Sequence, residues 1–232
     1  MKFSAARSEM DSMIVEIELT LVSIIQGVAL TVLIENAHAV ISDWRLVFWP
    51  YVLAGLLVIF VFWSRAVLHI ITVIRWPLEF GHNFLYIACA LVEAVLFAQL
   101  GKPAEWFGFG AAFIAIGLAL FVYDLRLIHA RMRDSSGPAS NQLSARVLRD
   151  QWLNIALFLP GLLILNLLFM FLIRNWPAFF LVKNGHVYLI CLQIGGFVGY
   201  LIYVVRFYVD LAPLIAQARA EWKGTADSGQ PS

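Results

Sequence analysis

Charge is what this chain has least of. Only 13% of its 232 residues are charged, about half the share usual in soluble domains. The 16 basic and 15 acidic residues nearly cancel, leaving a net charge of +1. No basic stripe of the kind that holds nucleic acid stands out, and no nucleic-acid partner is expected. Cysteine is almost missing as well. Cys89 and Cys191 both lie in apolar runs, which predicts buried thiols and offers no metal-ligand spacing. His-x-x-x-His and Cys-x-x-Cys-His patterns are absent, and neither a metal nor haem is expected. Nucleotide-binding loops, a serine elbow and intramembrane protease motifs are missing too. The sequence therefore predicts no cofactor and no enzyme. The opening residues, MKFSAARSEMDS, lack the apolar core and small-residue cleavage site of a signal peptide, so the first span is expected to be retained.

What the chain has instead is hydrocarbon. It is 62% hydrophobic, with a mean hydropathy of +0.83. A membrane span takes about 20 apolar residues, and six segments qualify: 14–36, 50–74, 80–100, 106–129, 153–173 and 186–209. Trp49-Pro50, Trp76-Pro77 and Trp176-Pro177 each set an interfacial aromatic beside a residue that favours helix starts. Gly101-Lys102-Pro103 breaks the chain between the third and fourth spans. The stretch Ser135-Ser136-Gly137-Pro138-Ala139-Ser140-Asn141 reads as a linker, followed by a short basic helix start at 145–150 expected on the membrane surface. The predicted fold is an all-α, multi-pass bundle of six transmembrane helices. Residues 1–13 form a terminal segment, 14–210 the membrane domain, and 211–232 a tail expected to be disordered after Trp222.

Six spans put both termini on one side. Of the 16 basic residues, Arg45, Lys102, Arg174 and Lys183 fall on the far side and the other twelve on the side of the termini. The positive-inside rule then predicts cytoplasmic termini and a cytoplasmic (plasma or inner) membrane. A faint internal echo joins Gly81-His82-Asn83-Phe84-Leu85-Tyr86-Ile87 to Gly185-His186-Val187-Tyr188-Leu189-Ile190, each preceded by a Trp-Pro pair. Three-helix halves inverted in the membrane are one way to read it.

Two groups of residues carry possible chemistry. In the first span, Glu16, Thr20, Ser23, Gly27, Thr31 and Glu35 recur at steps of three or four, the spacing of one helix face. Unpaired polar groups are costly in hydrocarbon, so this face is expected to meet other helices, another subunit or water. Close helix packing explains the small and hydroxyl residues. A pore explains the two carboxylates, which would sit near its mouths and attract monovalent cations or protons. In the pore reading Gln26 adds a ligand or intersubunit bond, and Leu30 and Ile34 supply an apolar constriction.

The second group is ionisable and intramembrane, a pattern that points to function by default. Glu93 lies more than a turn from either end of the third span, on one face with His82, Tyr86 and Cys89. It reads either as a proton or cation site or as a carboxyl bonded to a neighbouring helix. Arg65, His69 and Asp124 are expected near the side of the termini, where Glu16, Glu18, Glu79 and His82 are the available partners. Such a cluster locks helices together or forms a charged vestibule.

The first two spans also resemble a known family, the six-span potassium-permeable channels of lysosomes and their small tetrameric bacterial relatives. Gln26-Gly27-Val28-Ala29-Leu30-Thr31-Val32-Leu33-Ile34-Glu35 is similar to that family's first helix after its Phe-Ser-Asp signature, and Trp49-Pro50-Tyr51-Val52-Leu53-Ala54-Gly55-Leu56-Leu57-Val58 with Phe62-Trp63 to its second. Ile24-Ile25-Gln26 occupies the signature position and Thr20 that of its upstream arginine, so potassium selectivity does not carry over. The resemblance implies an oligomeric cation channel whose first helix lines the pore. A proton-coupled transporter built from inverted halves and a non-transporting assembly protein are the alternatives.

Overall fold

A computed structural model describes residues 2–43, 45–72, 80–134 and 137–227. Among them the chain is helical nearly throughout: α1 (Lys2–Ser42), α2 (Trp49–Thr72), α3 (Phe80–Phe97), α4 (Pro103–Asp134), α5 (Pro138–Leu153), α6 (Leu159–Asn175) and α7 (His186–Asp227). Six stretches are long and apolar enough to cross a membrane, with α5 and α6 forming one continuous stretch, Pro138–Asn175. The all-α multi-pass bundle expected from the sequence is the architecture found. The boundaries are generally wider than the apolar runs. With no water to satisfy a free backbone N–H or C=O in hydrocarbon, a helix gains by continuing until it is well clear of it.

The ends of the chain differ most from expectation. The segment 1–13 is helical from Lys2, as the start of α1. The tail expected to be disordered is helical to Asp227 within α7, and residues 228–232 lie outside the described residues. The stretch 145–150, expected on the membrane surface, belongs to α5, which starts at Pro138. Its apolar face is covered by protein rather than lipid: Ala139, Leu143 and Val147 pack with Ile128 of α4 and with Leu211, Leu214, Ile215 and Ala218 of α7. The extra length of α7 exists to make this contact. Glu221 ties it off, accepting hydrogen bonds from the backbone N–H groups of Ala139 (3.0 Å) and Ser140 (3.2 Å) at the otherwise unsatisfied start of α5. Gly137 leaves room for that carboxylate, because a Cβ there would meet Glu221 Oε2 at 2.1 Å.

Where α5 turns into α6 the chain loosens into a wide turn, Asn154–Phe158. Pro160 lies in the first turn of α6 and cannot donate a backbone hydrogen bond, which accounts for the break in the regular ladder. Helix α1 packs on α2 and α3, α2 also on α7, and α4 on α3 and α6. The largest core joins α1, α2, α3, α4, α6 and α7 through Leu33, Tyr51, Phe97, Trp106, Phe107, Ile173 and Ile190, among others. Cys89 is buried as expected, whereas Cys191 lies on the outer surface of α7, because neighbouring helices cover the other side of that helix.

Candidate functional site

The two faces of α1 separate cleanly. Glu18, Val22, Gln26, Ala29, Leu33, Ala37 and Val40 are buried, at steps of three or four that keep them towards α2 and α3. Glu16, Thr20, Ser23, Gly27, Thr31 and Glu35 are all exposed on the chain's outer surface. Leu30 and Ile34 join them, at 37% and 59% exposed. Of the three possible neighbours for the polar stripe, helices of the same chain are thereby removed. The hydroxyls already have acceptors: Thr20 donates to the Glu16 carbonyl at 2.8 Å, Ser23 to Leu19 at 2.8 Å and Thr31 to Gly27 at 2.9 Å. Such bonds to the preceding turn let hydroxyls sit in an apolar medium. They do nothing for the side chains of Glu16 and Glu35, which form no ion pair or hydrogen bond among the described residues. A Cβ added at Gly27 would meet nothing within 4 Å, so the face is bare there.

Gln26 departs from the stripe. It is 5% exposed and points inward, its amide nitrogen 3.2 Å from Glu93 Oε2 and 3.4 Å from the Tyr86 hydroxyl. Its place in the pore-lining set is therefore corrected: it is a bridge between α1 and α3. The face of α3 read from the sequence is buried as a unit, with His82, Tyr86, Cys89 and Glu93 all 6% exposed or less. One oxygen of Glu93 and the amide oxygen of Gln26 have no partner among the described residues. Below this bridge Asn83 donates to Glu18 at 3.1 Å.

The ionisable residues near the chain termini do not form one cluster. They form two. His82 Nδ1 lies 2.7 Å from Asp124 Oδ1, and His69 Nδ1 lies 3.6 Å from Oδ2 of the same carboxylate. The two imidazoles stack with centroids 4.7 Å apart and planes 7° from parallel. Arg65 takes no part. Its Nη2 pairs with Asp150 Oδ2 at 2.7 Å, a partner absent from the expected set of Glu16, Glu18, Glu79, His82 and Asp124; Glu79 lies outside the described residues. Tyr203 donates to the other Asp150 oxygen at 2.6 Å and Tyr200 to Asn154 at 2.5 Å. Asp150 escaped notice because its segment was placed on the membrane surface, while α5 folds inward against α4 and α7. Apolar neighbours at Val147 and Leu143, one and two turns earlier, were the available signal.

At the opposite end of the bundle Trp106 donates to Gln193 at 3.2 Å, and Gln193 to Asn166 at 3.0 Å. His186 meets the Tyr51 hydroxyl at 3.1 Å. These bonds join α4, α6 and α7, and α2 with α7. They read as packing devices, since uncharged side chains bonded across helices are common glue in membrane proteins.

The candidate ligand atoms of His69, His82 and Asp124 lie within 4.8 Å of one another. Two imidazoles and a carboxylate could hold a divalent transition metal. No spacing along the chain signals it, because each residue comes from a different helix. Comparison of the chain with family models, with curated proteins and with solved structures finds no match.

Proposed function

We propose that the protein is an oligomeric channel for monovalent cations, potassium or protons among them, with a pore lined by the outward face of α1. One observation carries the reading. A membrane helix packed on only one side presents Glu16, Thr20, Ser23, Gly27, Thr31 and Glu35 away from its own bundle. The hydroxyls are compatible with lipid, but a carboxylate with no partner at each end of the stripe is not well served by it. Around a symmetry axis the same residues would face water. Acidic groups would then mark both mouths, Gly27 would leave the passage wide, and Leu30 and Ile34 would narrow it. The basic residues near the termini support a cytoplasmic-type membrane with both termini inside.

The test is cation flux into liposomes holding the purified protein. Flux above protein-free vesicles is expected, and Thr31→Leu and Glu35→Gln are each expected to lower it, roughly tenfold for Thr31→Leu. Flux at background, unmoved by either substitution, sinks the pore reading. A second reading is favoured by Glu93, buried within α3 with one carboxylate oxygen unpartnered among the described residues: proton-coupled transport along the His82–Tyr86–Glu93 face. Uptake driven by a pH gradient and abolished by Glu93→Gln, with Thr31→Leu silent, would select it.

A further inference from the structure

Helices α2, α3 and α4 each send one ligand-type side chain to a common point: His69, His82 and Asp124. All three are largely withdrawn from solvent, with 12%, 8% and 5% of their side chains exposed. A buried carboxylate calls for positive charge close by. Arg65, one turn before His69 on α2, is held by Asp150 at 2.7 Å. Among the described residues, the two imidazoles are therefore what answers Asp124.

Hydrogen bonding explains one imidazole and not the other. His82 Nδ1 and Asp124 Oδ1 stand 2.7 Å apart, a separation that a proton between them accounts for. His69 Nδ1 stands 3.6 Å from Asp124 Oδ2, beyond hydrogen-bond reach. Its Nε2 is buried with no partner among the described residues. Stacking on His82, with centroids 4.7 Å apart, holds the His69 ring in place without using either nitrogen. A buried polar group left unbonded is costly, and a cation that takes a nitrogen of each ring together with the carboxylate would remove that cost.

The spacing suits such an ion. The candidate ligand atoms all lie within 4.8 Å of one another. Zinc holds imidazole nitrogen and carboxylate oxygen at about 2.0–2.2 Å, which sets tetrahedral ligands roughly 3.4 Å apart. The 3.6 Å between His69 and Asp124 is close to that already. The His82–Asp124 pair, at 2.7 Å, would open by about 0.7 Å as the ion takes the place of the proton, which leaves to solvent. Ring planes only 7° from parallel do not aim at one ion together, so one ring must turn. His69, bonded through neither nitrogen, is the one free to do so.

We propose that His69, His82 and Asp124 bind one divalent transition-metal ion of the zinc class, through a nitrogen of each imidazole and the Asp124 carboxylate. Imidazole suits zinc and its neighbours, whereas magnesium and calcium take oxygen ligands. Three protein ligands leave the fourth position of a tetrahedral ion to water or another small ligand. The ion would clamp α2, α3 and α4 to one another. No residue of the outward face of α1 takes part, so the site does not depend on the pore reading.

The full-length, tag-free protein in a non-ionic detergent is stripped with a chelator, freed of it and titrated with zinc chloride. Metal held through desalting is counted by atomic emission. Saturation at one zinc per chain is expected, with a raised melting temperature, and magnesium chloride at the same concentration should do neither. Cobalt(II) in place of zinc should show the visible bands of a nitrogen–oxygen site, without the sulfur charge transfer that Cys89 or Cys191 would bring. His69→Leu should weaken zinc by roughly tenfold or more, the loss that removal of even a supporting residue brings, and should abolish the zinc-dependent rise in melting temperature. His38→Gln with His129→Gln, both at exposed positions, should change neither. Failure of the unmodified protein to hold zinc, equal binding of magnesium or a sulfur band with cobalt overturns the proposal. So does undiminished zinc binding by a folded His69→Leu chain, or loss of binding from the exposed pair. The metal comparison, the cobalt spectrum and the exposed pair decide the matter even where His69→Leu fails to fold.

Discussion

The two faces of α1 carry similar side chains and do different things with them. The inward face holds Glu18 and Gln26, and each finds a partner on α3, in Asn83 and in Glu93 with Tyr86. Beyond them, Ala29, Leu33, Ala37 and Val40 fit into the core. The outward face holds Glu16 and Glu35, and neither has a side-chain partner among the described residues. A polar group in a membrane helix is thus informative through what answers it. On the inward face the answer lies in the same chain, and the residues are explained by packing. On the outward face the answer must come from outside the chain, and that is where the proposed pore would set a second copy and a conducting path. The predictions below set one face against the other.

The sharpest contrast is all-or-none. With Cys191 replaced by Ser, since it is exposed, a cysteine at Gly27 should link chains almost completely under mild oxidation in membranes. A cysteine at Leu33, 1% exposed, should link none. Both are read on a non-reducing gel. Equal linking at the two positions, or none at either, removes the special status of the outward face.

Next in size is stability. Leu33→Ala should cost about 3 kcal/mol, in the range for truncating a buried leucine, followed by denaturant unfolding in mixed micelles. Leu33 also fills the space left by Gly55, where a Cβ would come within 2.8 Å of Leu33 Cδ1. Ile34→Ala, one residue on and 59% exposed, should leave the isolated chain's stability within about 0.5 kcal/mol, as is usual for a surface position. A smaller effect belongs to conduction. Leu30→Ser should widen the apolar constriction and raise cation flux several-fold, or about 1 kcal/mol by rate arithmetic, without moving the unfolding curve. A flux unchanged by Leu30→Ser would put the constriction elsewhere.

How much of this could be read beforehand follows the physics of each residue. Apolar runs of membrane length state the number of spans directly, because hydrocarbon admits little else. The common face of His82, Tyr86, Cys89 and Glu93 was equally legible, being set by helical periodicity alone. Which way a face points was not. With polar residues on both sides of α1, hydrophobicity cannot choose between them, and Gln26 consequently seemed to flank the stripe when it turns inward. Partners across helices were harder still. Arg65 meets Asp150 over 85 positions of sequence, and only the inward fold of α5 brings them together. The triad of His69, His82 and Asp124 has no signature for the same reason, three helices contributing one residue each.

The finest test concerns the bridge between α1 and α3. If Gln26 and Glu93 serve packing alone, they form a closed pair whose energy shows in a double-mutant cycle. Gln26→Leu by itself removes the donor that Glu93 uses and leaves a buried carboxylate short of a partner, so it should destabilise by about 1–3 kcal/mol. Glu93→Leu should be milder, because the amide of Gln26 keeps the Tyr86 hydroxyl within 3.4 Å. The two together should recover part of the loss, with a coupling of about 0.6 kcal/mol, typical of hydrogen bonds between membrane helices. In a purely structural pair the double variant should conduct as the unmodified protein does, since neither side chain lies on the outward face. Lost conduction in a double variant of normal stability would move function inward, from the bare face of α1 to the buried face of α3.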